Sequence, residues 1–199
     1  MTAAFDRFEE HIKQCAEAIE IYNHLKGVGY AADFSLRFVW VASISALDFY
    51  ISELIVEKGT LHFANSIPLS QKLLNETVPM ASLLALHSVT PAQQVLEFRK
   101  IISLAVKFRT FQKAEDVADG LAFVWNEQHK WNAIAAKLGV ENKSAKRRLN
   151  SIAYRRDMIV HNADFDEATG ILRACDPNQA RQASEYIHAV VQAIDELVP

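Results

Sequence analysis

The sequence predicts an all-α fold, an up-and-down helical bundle, and three observations predict it. Apolar residues recur every three or four positions over long stretches, the period of a helix with one buried face. Only 6 Gly and 5 Pro occur in 199 residues, too few for the many turns that an all-β domain requires. No segment shows the apolar/polar alternation of a half-buried strand. Half of the residues are hydrophobic, which supplies the core of one domain over residues 1–199.

The first helix is expected over about Phe5 to Leu25, where Phe5, Phe8, Ile12, Cys15, Ile19 and Tyr22 keep the helical period. Gly27 and Gly29 end it. Asp33 is read as the cap of a second helix, about Phe34 to Glu57, with Leu36, Val39, Trp40, Ser43, Leu47, Tyr50 and Leu54 on one face. Its first half is apolar nearly all round, the mark of a central helix. Asp48 inside that stretch is read as a solvent-facing or hydrogen-bonded carboxylate, with a catalytic role as the alternative.

The stretch Ile67 to Leu86 is less regular, punctuated by Pro68 and Pro79. Thr90 caps a helix that begins at Pro91 and is expected to reach Phe111. Shorter helices are expected over Lys113 to Trp125 and Trp131 to Leu138, the latter stopped by Gly139. A long one follows, about Asn142 to Val160. Asp176-Pro177 opens the last helix, which turns Ile187, Val190, Val191, Ile194 and Leu197 inward.

Composition also excludes functions. The net charge is −3, whereas a protein that coats long nucleic acid carries positive charge over a whole face. Any nucleic-acid contact is therefore local. Cys15 and Cys175 form no disulfide framework and no zinc spacing, which fits a reducing compartment. Met1 to Glu10 holds Asp6, Glu9 and Glu10 and no apolar run, so no signal peptide is expected. Phe38 to Leu47 reads as too short to span a bilayer. The expectation is a cytoplasmic protein without a membrane partner. No phosphate-cradling Gly loop, dinucleotide fingerprint or nucleophile elbow occurs, and no cofactor is expected.

The segment that carries chemistry is Arg156-Asp157-Met158-Ile159-Val160-His161. At about 100° per residue, Leu149, Ile152, Ile159 and Ala163 share one narrow stripe, and Arg156 lies in its middle. A guanidinium among core positions is costly unless it is paired or faces a partner. Two readings stand side by side: a structural Arg paired with a carboxylate such as Asp48, or an Arg facing a dimer cleft where it meets phosphate. His161 falls where the helix ends, and an imidazole there can exchange protons near neutral pH. Asp157, four residues earlier on the same face, can orient it. An ordinary surface histidine is the bland alternative.

Arg156-x4-His161, with a polar residue after the Arg and apolar Ile159-Val160 before the His, resembles the R-x4-6-H motif of HEPN domains (higher eukaryotes and prokaryotes nucleotide-binding). Val39 to Asp48 resembles the second helix of the bacterial branch called RiboL-PSP-HEPN, and Trp131 through Asp164 resembles that branch's approach to the motif. The resemblance covers nearly the whole chain. It implies a helical bundle that dimerises with two motifs facing each other. It also implies metal-independent RNA cleavage in toxin, anti-phage or CRISPR-linked systems, with an antitoxin or defence-system partner. Carried over by position, Arg156 and His161 are the catalytic pair and Asp157 is the polar residue after the Arg. Many members hold Asn or His where Asp157 stands. One HEPN branch has a Tyr two residues after the His, modified by a partner nucleotidyltransferase; Ala163 stands there, which argues against that partner.

The chemistry accounts for these residue types. RNA is cut without metal when its 2′-hydroxyl attacks the adjacent phosphorus, which needs a proton acceptor, a proton donor and positive charge on the phosphorane. A histidine serves as base or acid, and an arginine holds two phosphate oxygens. On an ideal helix Arg156 and His161 point about 140° apart, which favours a composite site from two chains or a distorted helix end. The basic run Lys143, Lys146, Arg147, Arg148 and Arg155 is read as local phosphate attraction, with Lys146, Arg147 and Arg155 as RNA-binding candidates, or else as a solvated helix face.

Three rivals remain. Ile134 to Val140 followed by Lys146-Arg147-Arg148-Leu149 has the pattern of a DNA-binding helix-turn-helix, although its recognition helix would run on to Val160. A HEPN-like module that binds RNA or protein without cutting is the second. A metal site from His161, Asp164 and Asp166 is the third.

Overall fold

A computed structural model describes residues 1–199. It contains nine helices and no strand; one isolated bridge joins Phe165 to Leu172. The helices are α1 (Ala3–Gly27), α2 (Asp33–Ala64), α3 (Gln71–Leu74), α4 (Met80–His87), α5 (Pro91–Val106), α6 (Ala114–Leu121), α7 (Lys130–Lys137), α8 (Asn142–His161) and α9 (Pro177–Leu197). The predicted all-α bundle is what forms.

Helix α2 is the axis of the bundle. It packs against α1, α5, α6, α8 and α9. Leu36, Val39, Ile44, Leu47, Tyr50, Ile51, Leu54 and Ile55 are fully buried within an arc of about 160°, while Phe34 and Phe38 on the far side stay exposed. Its apolar run does not stop at Leu47: α2 is 32 residues long, and by length and composition it is apolar enough to cross a membrane. The reading of this region as too short to span is corrected on that point. Just over half of its most apolar window is buried inside the bundle, the packing of a core helix. Asp33 is not the cap. Ala32 holds that position, and Asp33 sits in the first turn, where its charge favours the exposed N–H groups.

Tertiary packing decides the other departures. Thr90 and Gln93 form the capping box of α5 around Pro91, but α5 stops at Val106 rather than Phe111. Residues 107–113 leave the helix because Phe111 turns back into the core, 2% exposed. Its backbone N–H donates to Asp48 Oδ1 at 2.7 Å, and Gln112 Nε2 donates to Asp48 Oδ2 at 2.9 Å. Asp48 thus ends one helix from inside another, and the hydrogen-bonded reading of this carboxylate is the one observed. Gly120 allows α6 to close on this corner, since a Cβ there would stand 2.7 Å from the Phe111 ring. The irregular stretch after α2 holds α3 and α4, neither with a buried residue, and α4 rests on α5 alone.

Helix α8 begins after a left-handed Gly139 (φ +67°) and runs to His161. Ala145, Leu149, Ile152 and Ala153 are buried along one side, against α2, α6, α7 and α9. Tyr186 of α9 donates its hydroxyl to the Ala145 carbonyl at 2.7 Å. Asp176 caps α9 through Asn178 N–H. These contacts seat α8 against the bundle between Ala145 and Ala153, before its last two turns.

Candidate active site at the end of the eighth helix

Taking the direction of His161 as zero, the buried residues Ala145, Leu149, Ile152 and Ala153 point between about 180° and 280° around α8, and Arg156 points at about 220°. The structure keeps that division. His161, the last residue of α8, is exposed and bonds no other side chain. The Arg156 side chain is 19% exposed and enters the stripe predicted for it. Ala163, expected to continue the stripe, lies past the helix in a left-handed conformation (φ +47°) and is exposed.

Arg156 does not pair with Asp48, which is committed to the 111–112 corner. Its Nη1 donates to Asp157 Oδ1 at 3.1 Å. Its Nε is buried and meets no acceptor within the protomer. A buried donor left unpaired costs about 1–3 kcal/mol, so this guanidinium is only part-satisfied by its own chain. Asp157 accepts from Arg156 and lies 3.9 Å from Lys113 Nζ. It makes no hydrogen bond to His161, so within one protomer it orients the arginine and not the imidazole.

The chain after His161 is fixed by a buried triad. Asp164 is fully buried and left-handed (φ +63°), and its backbone N–H closes on the Met158 carbonyl at 3.0 Å. Its carboxylate accepts from Arg37 Nε of α2 at 2.7 Å and, in a two-toothed contact, from both Arg155 terminal nitrogens. Arg37 also donates to the Arg173 carbonyl at 2.9 Å. Burial in the same corner pushes the Cys175 thiol up. Backbone and hydroxyl donation from Thr169 holds the Asp166 carboxyl below its usual value, and Arg173 pairs with Asp166 at 3.1 Å. The loop 162–176 is therefore tied back to α2, and with it the end of α8.

This arrangement sorts the basic candidates. Arg155, placed in the sequence with the RNA-contacting cations, is 17% exposed and bound to Asp164; its task here is structural. Lys146 pairs with Glu115 at 2.9 Å, which together with Asn150 lowers the Glu115 carboxyl. Arg148 stacks over the Tyr186 ring at 4.5 Å. Arg147 is exposed and its guanidinium makes no ion pair. His161, Asp164 and Asp166 do not converge on a metal site, because Asp164 faces the two arginines; no three His, Cys, Asp or Glu side chains are placed to share an ion. The helix-turn-helix pattern is present as α7, the Gly139 turn and α8, but the second helix is 20 residues long. Reading the sequence missed the triad. An arginine inside the apolar α2, Arg37, was the available signal, since such a charge needs a partner.

The family model RiboL-PSP-HEPN matches residues 8–198. The chain belongs to this family. Comparisons with curated proteins and with solved structures find no match. The match spans α1 to α9 and so includes the Val39–Asp48 helix and the Arg156-x4-His161 segment. Membership in the HEPN family points to a nuclease or an RNA-binding module.

Proposed function

We propose that this HEPN protein is a metal-independent endoribonuclease whose site forms between two copies of the chain. The observation that carries the reading is Arg156: a guanidinium held in the core stripe of α8, with a buried Nε that its own protomer leaves without an acceptor, five residues before an exposed His161. The Nε itself is covered, so a phosphate oxygen would meet the guanidinium through the part of the side chain that stays 19% exposed, and its bond to arginine strengthens as charge builds in the transition state. Because Arg156 and His161 leave α8 in directions about 140° apart, a second protomer is the simplest way to bring one chain's imidazole to the other's guanidinium.

The step balances as a transesterification. One protomer's His161 imidazole takes the proton of the ribose 2′-hydroxyl; the 2′-oxygen bonds to phosphorus; the bond from phosphorus to the 5′-oxygen breaks, and that oxygen takes a proton from the protonated His161 of the second copy. The products are a 2′,3′-cyclic phosphate and a 5′-hydroxyl. Arg156 neutralises the non-bridging oxygens. Asp157 keeps the guanidinium in place from one side, and the Asp164 triad anchors the turn that carries His161. We place this activity in the cytoplasm, in a toxin or anti-phage setting with an antitoxin or defence partner.

The test is incubation of the purified protein with mixed RNA in the presence of a chelator, beside Arg156→Ala and His161→Ala variants that keep the parent's melting temperature. The parent should cut and leave cyclic phosphate ends, and each variant should be slowed by roughly 100-fold or more. Equal rates in parent and variants would remove the site assignment. A family module that binds RNA without cutting is the second reading. It is favoured by the Arg156–Asp157 pair, which puts a carboxylate where phosphate would approach.

A further inference from the structure

The face of α8 that carries His161 continues away from it as a groove. At about 100° per residue, Lys143, Arg147, Asn150 and Tyr154 all lie within about 40° of the His161 direction. They are separated along the axis by about 1.5 Å per residue, which puts Tyr154 about 10 Å and Arg147 about 21 Å from His161. Lys143, Lys146, Arg147, Asn150 and Tyr154 line one wall of a groove of about 650 Å³, and Glu115 at the start of α6 stands opposite. Glu115 is the only carboxylate in this lining, and it is occupied by Lys146. Lys143 and Arg147 make no ion pair, so the groove keeps two unspent cations. Tyr154 is 57% exposed, and its hydroxyl bonds no protein group. Tyr154 lies on the exposed face of α8, away from the buried Ala145, Leu149, Ile152 and Ala153, so its ring is not needed for packing.

We propose that this groove is a binding track for single-stranded RNA, in which Tyr154 stacks on a base while Arg147 and Lys143 hold successive phosphates leading to His161. Stacked aromatic rings combined with a cationic groove are the general solution for a strand whose bases are unpaired. A duplex hides those faces and would leave Tyr154 without a role. Only the direction of the track, toward His161, rests on the ribonuclease reading.

The experiment measures fluorescence anisotropy of a labelled, mixed-sequence single-stranded RNA oligomer on the His161→Ala protein, which separates binding from cleavage. A duplex DNA of the same length is the second arm. Tyr154→Ala should weaken RNA binding roughly 5- to 150-fold, and Tyr154→Phe, which keeps the ring, should bind like the parent. Arg147→Gln should weaken binding and reduce the slope of log affinity against log salt by about 0.7, one phosphate contact. The proposal is overturned if Tyr154→Ala binds RNA as tightly as Tyr154→Phe, if neither RNA nor DNA binds, or if duplex DNA binds more tightly, the result expected of a helix-turn-helix. Cleavage by the His161-containing protein is scored separately. Loss of the Tyr154 effect with His161-dependent cleavage intact sinks the track alone. A Tyr154 effect without His161-dependent cleavage upholds the track and sinks the nuclease.

Discussion

At the residue scale, the two acidic side chains near the motif carry unequal weight. Asp164 holds two guanidinium groups in a fully buried corner, so removing its charge leaves two cations uncompensated. Asp164→Asn keeps a side chain that tolerates φ +63°, and it should still cost about 3–5 kcal/mol. Asp157→Asn, at a part-buried pair where the amide oxygen can still accept from Arg156 Nη1, should cost less, about 1 kcal/mol. Urea midpoints of the two variants check this, and similar values would show that the triad does not anchor the loop. The buried phenols give a second prediction. Burial pushes Tyr186 up from 10.0 to about 12, and burial beside Asp195 raises Tyr50 further. The folded state thus holds these protons more tightly than the unfolded chain, and stability is full below pH 10 and falls as pH rises through about 12. Thermal melts should drop in that window, and Tyr186→Phe should blunt the drop. Periodicity could not show the triad: it places Arg156 in a stripe but says nothing of which carboxylate, Asp48, Asp157 or Asp164, folds against which arginine.

At the element scale, helices with a strong apolar period were legible from sequence almost to their ends. Helices α1, α7 and α8 begin and end, and α9 begins, within two residues of expectation, because their caps and stops (Gly139, Asp176-Pro177) act locally. Helix α5 was overestimated and α2 underestimated, because non-local contacts set those ends: Asp48 of α2 captures the backbone of Phe111, and the buried second half of α2 carries it to Ala64. The same corner yields a prediction. Gly120→Ala drives a methyl into the Phe111 ring and to 3.0 Å from Ile51, and should destabilise by about 1–3 kcal/mol. Asp48→Ala should weaken the corner independently by leaving the Phe111 N–H without its acceptor. A Gly120→Ala protein as stable as the parent would mean that α6 does not close on Phe111 as described.

At the scale of the whole molecule, the division of α8 matters most. One side of the helix is spent on the bundle, Arg156 ends that side half-satisfied, and His161 faces out. On the proposed reading a single protomer of 22.4 kDa supplies only part of the site, and sedimentation should show a species of twice that mass. The motif itself was legible as two residues at a fixed spacing. Its geometry was not, because the groove, the triad and the unpaired Arg156 Nε arise only when α2, α6 and α8 meet. The most direct measurement uses an oligomer with one ribonucleotide in an otherwise DNA strand, incubated with chelator. The account predicts cutting only at that ribonucleotide, with a 2′,3′-cyclic phosphate end, and a rate lowered by roughly 100-fold or more in a folded His161→Ala protein. Cutting at deoxynucleotides, or an undiminished rate in His161→Ala, would contradict it.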